Sequence, residues 1–395
     1  VENLEFILAL VLILFTTKIA GTLAVRLGQP AVLGKLISGV LLGPAVLGWI
    51  MPSDFIHYFS QIGVLLLMFI AGLETDLEQF RQSWKSSLAV AVGGVIFPMI
   101  GGYSLGMALG WSTEQALFLA LVISATSVSI SVQTLKEMNK LNSKEGTTIL
   151  GAAVVDDILV VVLLAVTMSF FGAGEAVSIP SLLLKKVLFF AVIIAAGWFI
   201  VPHIMKWMSK FKVTETVVSA AIFICLGFSY FAELMGVAGI IGAFAAGIAI
   251  SQTSFKHTVE TKIEPIAYTL FVPVFFVSIG LDISFAGLGE QIWFIVILTL
   301  ICIFTKLVGS GLGARLTGFN LRQSMAIGSG MISRGEVALI LMTSSTGSHL
   351  LTGSTYTSIV LVVIITTLVT PPLLKKTLQG SSNQSKPIES SSRSV

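Results

Sequence analysis

Five ionisable residues stand in otherwise apolar surroundings: Asp156 and Asp157 within residues 152–164, Lys306 within 301–308, and Arg334 and Glu336 within 328–339. A charge buried among apolar residues is costly and points to function by default. The adjacent carboxylates suit one chemistry in particular. Consecutive helical residues point about 100° apart, so both acids can border one cavity while facing different partners. In a desolvated site, a second carboxylate favours proton uptake and a nearby ammonium opposes it. With Lys306 as the counter-charge, such a site holds protons or a hard cation, but not both at once. That competition is the chemistry of ion exchange. The other reading is a buried ion-pair network that locks helices together, and it weighs most on Arg334 and Glu336.

A bare cation in a dry site also needs neutral oxygen ligands, which broken helices supply as free carbonyls. Gly328-Ser329-Gly330-Met331-Ile332-Ser333-Arg334-Gly335 has the composition for such a break. Ser124-Ala125-Thr126-Ser127-Val128-Ser129 is a second candidate, because Ser and Thr can re-satisfy freed backbone groups or act as ligands. It lacks Gly and Pro, so an ordinary Ser/Thr packing face remains an equal reading.

The elements that must position these residues are membrane helices. Hydrophobic residues make up 55% of the chain and charged residues 11%, with a mean hydropathy of +0.97. Soluble domains carry roughly 25% charged residues, so an all-α polytopic membrane protein is expected. At roughly 20 apolar residues per crossing, the sequence gives about thirteen spans, near 4–26, 30–50, 56–74, 86–110, 114–136, 145–171, 181–207, 214–235, 237–253, 262–281, 290–316, 321–346 and 354–376. The first stretch, Leu4–Leu27, lacks a basic flank and reads as a membrane helix rather than a cleaved signal. The Ser-rich tail from Gln379 is expected to be disordered. Cys225 and Cys302 lie in apolar runs and read as small hydrophobes.

Basic residues follow the odd-numbered spans. Of the 23, Lys18, Lys306 and Arg334 fall inside spans, and only Lys185 and Lys186 lie on the even-numbered side. By the positive-inside rule, the N-terminus faces outward and the C-terminus faces the cytoplasm. Two further matches indicate an internal repeat. Gly34 and Gly39 in the second span resemble Gly242 and Gly247 in the ninth, and the third and tenth end in Gly72-Leu73-Glu74 and Gly280-Leu281-Asp282. An offset of seven spans, being odd, makes the halves antiparallel, as in inverted-repeat transporters. It pairs the fifth span with the twelfth, so two crossed discontinuous helices are expected.

Phe69–Leu77, Val154-Val155-Asp156-Asp157, Phe304-Thr305-Lys306 and Ser333-Arg334-Gly335-Glu336 closely resemble the cation:proton antiporter-2 family, notably its sodium/proton members. The resemblance runs from Arg26 to Glu336. It implies a homodimer with scaffold helices in 1–85 and 214–285, a mobile core in 86–171 and 286–378, a linker in 172–213 and a cytoplasmic tail in 379–395. It further implies a bacterial-type inner membrane, and Na⁺, Li⁺ or K⁺ and protons as substrates. Neither a cofactor nor nucleic acid is implied. By resemblance, Asp157 is the principal cation ligand and proton carrier, and Asp156 is the partner that Lys306 releases when sodium binds. Thr126 and Ser127 border the site, and Glu74, Arg334 and Glu336 are supporting charges. Potassium-efflux members carry Gln at the first acid and append a nucleotide-binding domain. Asp156, and a chain that stops soon after its last span, favour sodium.

Other classes fit less well. There is no carbonyl-filter motif or acidic ring for a channel. An aspartyl protease needs its two acids on separate helices. A sodium-coupled symporter needs a polar cavity for an organic substrate, and no cluster of aromatic and polar residues supplies one. The choice among Na⁺, Li⁺ and K⁺ is left open by the residues.

Overall fold

The computed structural model describes residues 2–171, 179–282, 288–335, 338, 342 and 354–382. The described residues are helical, with no strands. Ten helices among them are long and apolar enough to cross a membrane, and Ala31–Leu42 and Gly239–Ser251 are shorter apolar helices. The chain runs through α1 (Glu2–Arg26), α2 (Ala31–Leu42), α3 (Asp54–Glu74), α4 (Leu77–Gln82), α5 (Trp84–Ala108), α6 (Thr113–Ser124), α7 (Val128–Glu137) and α8 (Lys144–Phe171). It continues through α9 (Ile179–Ala195), α10 (Val201–Met208), α11 (Thr216–Leu234), α12 (Gly239–Ser251), α13 (Lys256–Ile266), α14 (Val272–Leu281), α15 (Leu288–Leu316), α16 (Leu321–Gly330) and α17 (Ser354–Ser382).

Several boundaries depart from expectation for local reasons. The second span is shorter than 30–50: α2 stops at Leu42 because Gly43 is extended, as a residue preceding proline tends to be, and Pro44 follows. Twelve residues rise only about 18 Å. The ninth span is short as well. Two spans pass through one π-turn each, at Ala196–Ile200 and Ala267–Phe271. Val201 and Val272 donate five residues back, to Ala196 and Ala267, just before Pro202 and Pro273, which lack a backbone donor. At the other end, α17 runs on to Ser382, past Gln379 where disorder was expected; the rest of the tail lies outside the described residues.

The helices pack as two groups. α1, α2, α3, α11, α12, α13 and α14 contact one another, as do α5, α6, α8, α15, α16 and α17. α7 lies between the groups, touching α2 and α3 on one side and α8 and α17 on the other. Glycines set the closest approaches. A Cβ on Gly39 of α2 would lie 2.2 Å from the Val277 carbonyl oxygen of α14, and one on Gly247 of α12 would lie 2.2 Å from that of Phe69 in α3. Lipid gives helices no hydrophobic drive to associate, so contacts of this kind carry much of the packing. Large apolar side chains of α1, including Leu4, Leu8, Phe15 and Leu23, face outward, as a lipid-facing helix requires.

The fifth span breaks where the Ser/Thr run lies. α6 ends at Ser124, Ala125 and Ser127 are extended, and α7 begins at Val128. The twelfth loses its helix after Gly330, and residues 332–335 are non-helical. The two breaks meet: Ser127 N donates to the Ser333 carbonyl at 2.9 Å, and Ser333 Oγ donates to the Ser127 carbonyl at 2.6 Å. Inverted repeat and crossed discontinuous helices are thus both present.

Candidate functional site

Asp156 and Asp157 follow one another in the middle of α8, where helical geometry sends them in different directions. Asp156 is fully buried, and its Oδ1 accepts from Lys306 Nζ of α15 at 2.8 Å; neither side chain has any exposure. Two opposite charges so fully removed from water would be prohibitive singly, and the pair offsets part of that cost. Asp156 Oδ2 has no hydrogen-bond partner among the described residues. Asp157 is partly exposed and lines a cavity with Met68 of α3, Val128 of α7, Val154 of α8, and Ile240, Ile241 and Phe244 of α12. Asp156 is thereby sealed against an ammonium, while Asp157 is partly exposed and borders a cavity between the two helix groups.

The crossing of the broken spans lies beside this pair. Thr126 Oγ1 and Ser129 Oγ are buried with no hydrogen-bond partner among the described residues. Ser127 is held by both bonds to Ser333. Arg334 is 1% exposed; its Nη1 donates to the Ala125 carbonyl at 3.2 Å and its Nη2 to the Cys302 carbonyl at 3.4 Å. Ala125 caps the C-terminus of α6, so the guanidinium meets the carbonyl end of a helix, where a cation is favourable. Both guanidinium bonds go to main-chain carbonyls; Glu336 lies outside the described residues. Cys302 and Cys225 are free and buried.

Glu74 lies elsewhere. It ends α3, six residues or ~9 Å of rise beyond the cavity-lining Met68, and pairs with Lys136 of α7 at 2.6 Å.

Two supporting residues escaped the sequence reading. A Cβ on Gly94 of α5 would lie 3.3 Å from Lys306 Nζ and 2.4 Å from Ser310 Oγ, so glycine makes room for the ammonium. The Gly93-Gly94 pair in mid-span was the available signal. Thr367 of α17 donates to the Arg334 carbonyl at 2.6 Å and holds the unwound stretch from the far side; as one of several threonines in that helix it offers no such signal.

Comparison with known proteins shows the family and the fold. The family model described as sodium/hydrogen exchanger, transmembrane, matches residues 11–380. A probable Na⁺/H⁺ antiporter of Bacillus cereus, GerT, is 61% identical over 94% of this chain and 99% of its own length. The Na⁺/H⁺-K⁺ antiporter GerN of the same organism is 58% identical over 94% of this chain and 96% of its own. A Na⁺/H⁺ antiporter of Enterococcus hirae is 46% identical over 94% and 98%. The solved structure of the sodium proton antiporter MjNhaP1 of Methanocaldococcus jannaschii superposes with a TM-score of 0.66 at 14% identity, covering 96% of this chain and 98% of that one; at that identity it speaks to the fold alone. A chain with this crossing, matched along nearly its whole length, belongs to the sodium/hydrogen exchanger family of membrane transporters, not to the enzymes.

Proposed function

We propose that the chain exchanges sodium or lithium for protons across a bacterial inner membrane, electrogenically, as a homodimer with its N-terminus outside. One observation carries the reading: two adjacent acids in opposite settings, Asp156 locked to Lys306 and Asp157 facing a cavity. Asp157 takes up the cation or a proton from the cavity. Thr126, Ser127 and the second oxygen of Asp156 are the further neutral and anionic oxygens that would complete the cation's shell. A cation that draws on Asp156 weakens its bond to Lys306, so arrival of sodium and release of protons oppose each other. The helix group holding the crossing then shifts against the group holding α3 and α12, carrying Asp157 from one membrane face to the other. Arg334, with Glu336 and Glu74 as further supporting charges, keeps a fixed positive charge on the broken helix during that movement.

The test is Asp157→Asn in proteoliposomes. Sodium-driven proton movement should vanish while the variant folds and elutes like the parent. Exchange near the parental rate would remove Asp157 from the site.

A potassium/proton reading also has support, because GerN is a Na⁺/H⁺-K⁺ antiporter and resembles this chain at 58% identity. Running the same assay with Na⁺, Li⁺ and K⁺ in turn separates the readings. Proton movement driven by K⁺ as strongly as by Na⁺ would favour the second.

A further inference from the structure

α7 starts at the cavity, with Val128 on its wall, and ends at Lys136 and Glu137 on the side that the basic residues assign to the cytoplasm. These two end residues do what Asp156 and Asp157 do in α8: neighbours in sequence, they face different partners. Lys136 Nζ lies 2.6 Å from Glu74 Oε1 of α3, 2.9 Å from Glu264 Oε1 of α13 and 4.7 Å from the ring centre of Tyr268. Glu260 also belongs to this cluster, each of the three glutamates having a carboxylate oxygen within 4.8 Å of the others'. Glu137 turns to α2 instead. Its Oε2 accepts from Ala31 N at 2.6 Å and Val32 N at 3.4 Å, and Lys35 Nζ lies 3.9 Å from Oε1. Pro30 gives α2 no side-chain cap, so the carboxylate of Glu137 supplies one from another helix. Gln133, one turn back on α7, donates to Glu137 Oε1 at 2.9 Å and aims it.

Apart from Gln133 on α7 itself, these partners belong to α2, α3, α13 and the π-turn that follows α13, whereas α7 continues into the crossing beside Asp157. We propose that Lys136 and Glu137 form a two-pronged latch that closes the cytoplasmic end of the Asp157 cavity and must release before Asp157 can meet the cytoplasm. Both prongs are polar contacts at a partly exposed edge, the kind that part and re-form without unpacking apolar surface. This inference rests on the exchange reading above, in which the two helix groups move against each other.

Side-specific labelling tests it. In the full chain with Cys225→Ala and Cys302→Ala, a reporter cysteine replaces the cavity residue Ile241. A membrane-impermeant maleimide is then applied to right-side-out and inside-out vesicles. Lys136→Gln and Glu137→Gln should each raise labelling from the cytoplasmic side several-fold and lower it from the outside, and Lys136→Arg should restore the parental pattern. Unchanged cytoplasmic labelling in both variants would overturn the latch, as would an equal rise from both faces, which signals a loosened fold. Should Lys136→Gln fail to fold, Glu264→Gln carries the same test, because it removes only the more exposed partner of the lysine. Labelling needs no transport, so failure of Na⁺-driven proton movement in the parent would sink the exchange reading by a separate measurement.

Discussion

Asp156 and Asp157 are the same side chain placed one residue apart, and about 100° of helix gives them opposite surroundings. One is sealed against Lys306 with no exposure, and the other is partly exposed and borders a cavity. That division makes the role of Lys306 testable. On the proposed reading the ammonium gives up its proton when the cation draws Asp156 away from it, and with one proton from Asp157 that would make two for each sodium ion. Lys306→Gln is one atom shorter but keeps a donor for Asp156, and it has no proton to give. The expected outcome is sodium uptake that an imposed voltage no longer drives, or no uptake at all. Voltage-sensitive uptake persisting in the variant would reduce Lys306 to a brace for Asp156. Gly94 gives a second test of the same corner. Gly94→Ala puts a methyl 3.3 Å from Lys306 Nζ and 2.4 Å from Ser310 Oγ. Overpacking of this kind costs about 1–3 kcal/mol, to be read as a lower Tm in detergent, and a Tm equal to the parent's would show that the ammonium has room to move.

At the scale of elements, the crossing is held by bonds that neither broken helix makes by itself. Ser333 Oγ to the Ser127 carbonyl, Ser127 N to the Ser333 carbonyl, and Arg334 to the Ala125 carbonyl replace backbone bonds forfeited at the breaks. Ser333→Ala removes one of them and should cost ~1 kcal/mol. Arg334→Leu removes both guanidinium bonds and takes the donor from the Ala125 carbonyl freed at the break, at about 1–3 kcal/mol for that group; a larger fall in Tm for Arg334→Leu than for Ser333→Ala is the expected order. The same bonds explain what was legible beforehand. The twelfth span announces its break through Gly328, Gly330 and Gly335, which weaken a helix locally. The fifth carries no such residue between Ser124 and Ser129, and its break could be expected only through pairing with the twelfth. Its freed carbonyls are satisfied by Ser333 and Arg334, some two hundred residues away, and local sequence holds no trace of that. The acid pair and Lys306 stood out for the opposite reason: a charge in an apolar run is visible without knowledge of its partner. Gly94 and Thr367 serve those charges through contacts between distant helices, and the Gly93-Gly94 pair is the one local mark of either.

Across the whole molecule, one offset in residue number relates the two halves. It takes Gly34 to Gly242, Gly39 to Gly247 and Gly72 to Gly280, and the contacts follow. Gly34 packs on Ala20 of α1 as Gly242 packs on Phe228 of α11, and Gly39 meets Gly280 as Gly247 meets Gly72. In the other helix group the offset turns the Gly93–Gly309 contact into that of Gly101 with Ile301, so α5 and α15 touch twice by one pattern. It also takes Ser127 to Gly335, and these two are in direct contact: a Cβ on Gly335 would lie 2.4 Å from that of Ser127. Equivalent residues touch only on a symmetry axis, so the pseudo-two-fold axis passes through the crossing, where inverted-repeat transporters bind their ions. The consequence is a contrast between glycines of equal tightness. Gly39→Ala and Gly247→Ala push α2 from α14 and α12 from α3, away from the crossing, and each should lower Tm while the protein still gains stability from added Na⁺. Gly335→Ala acts on the axis and displaces Ser127 beside the proposed site. A bound ion stabilises by RT ln(1 + [L]/Kd), so a weakened site appears as a smaller Na⁺-induced rise in Tm at the same concentration. Gly335→Ala should lose most of that rise and the other two should keep it. A full rise in Gly335→Ala would move the cation site off the axis, and its loss in Gly39→Ala or Gly247→Ala would make the response a measure of general stability.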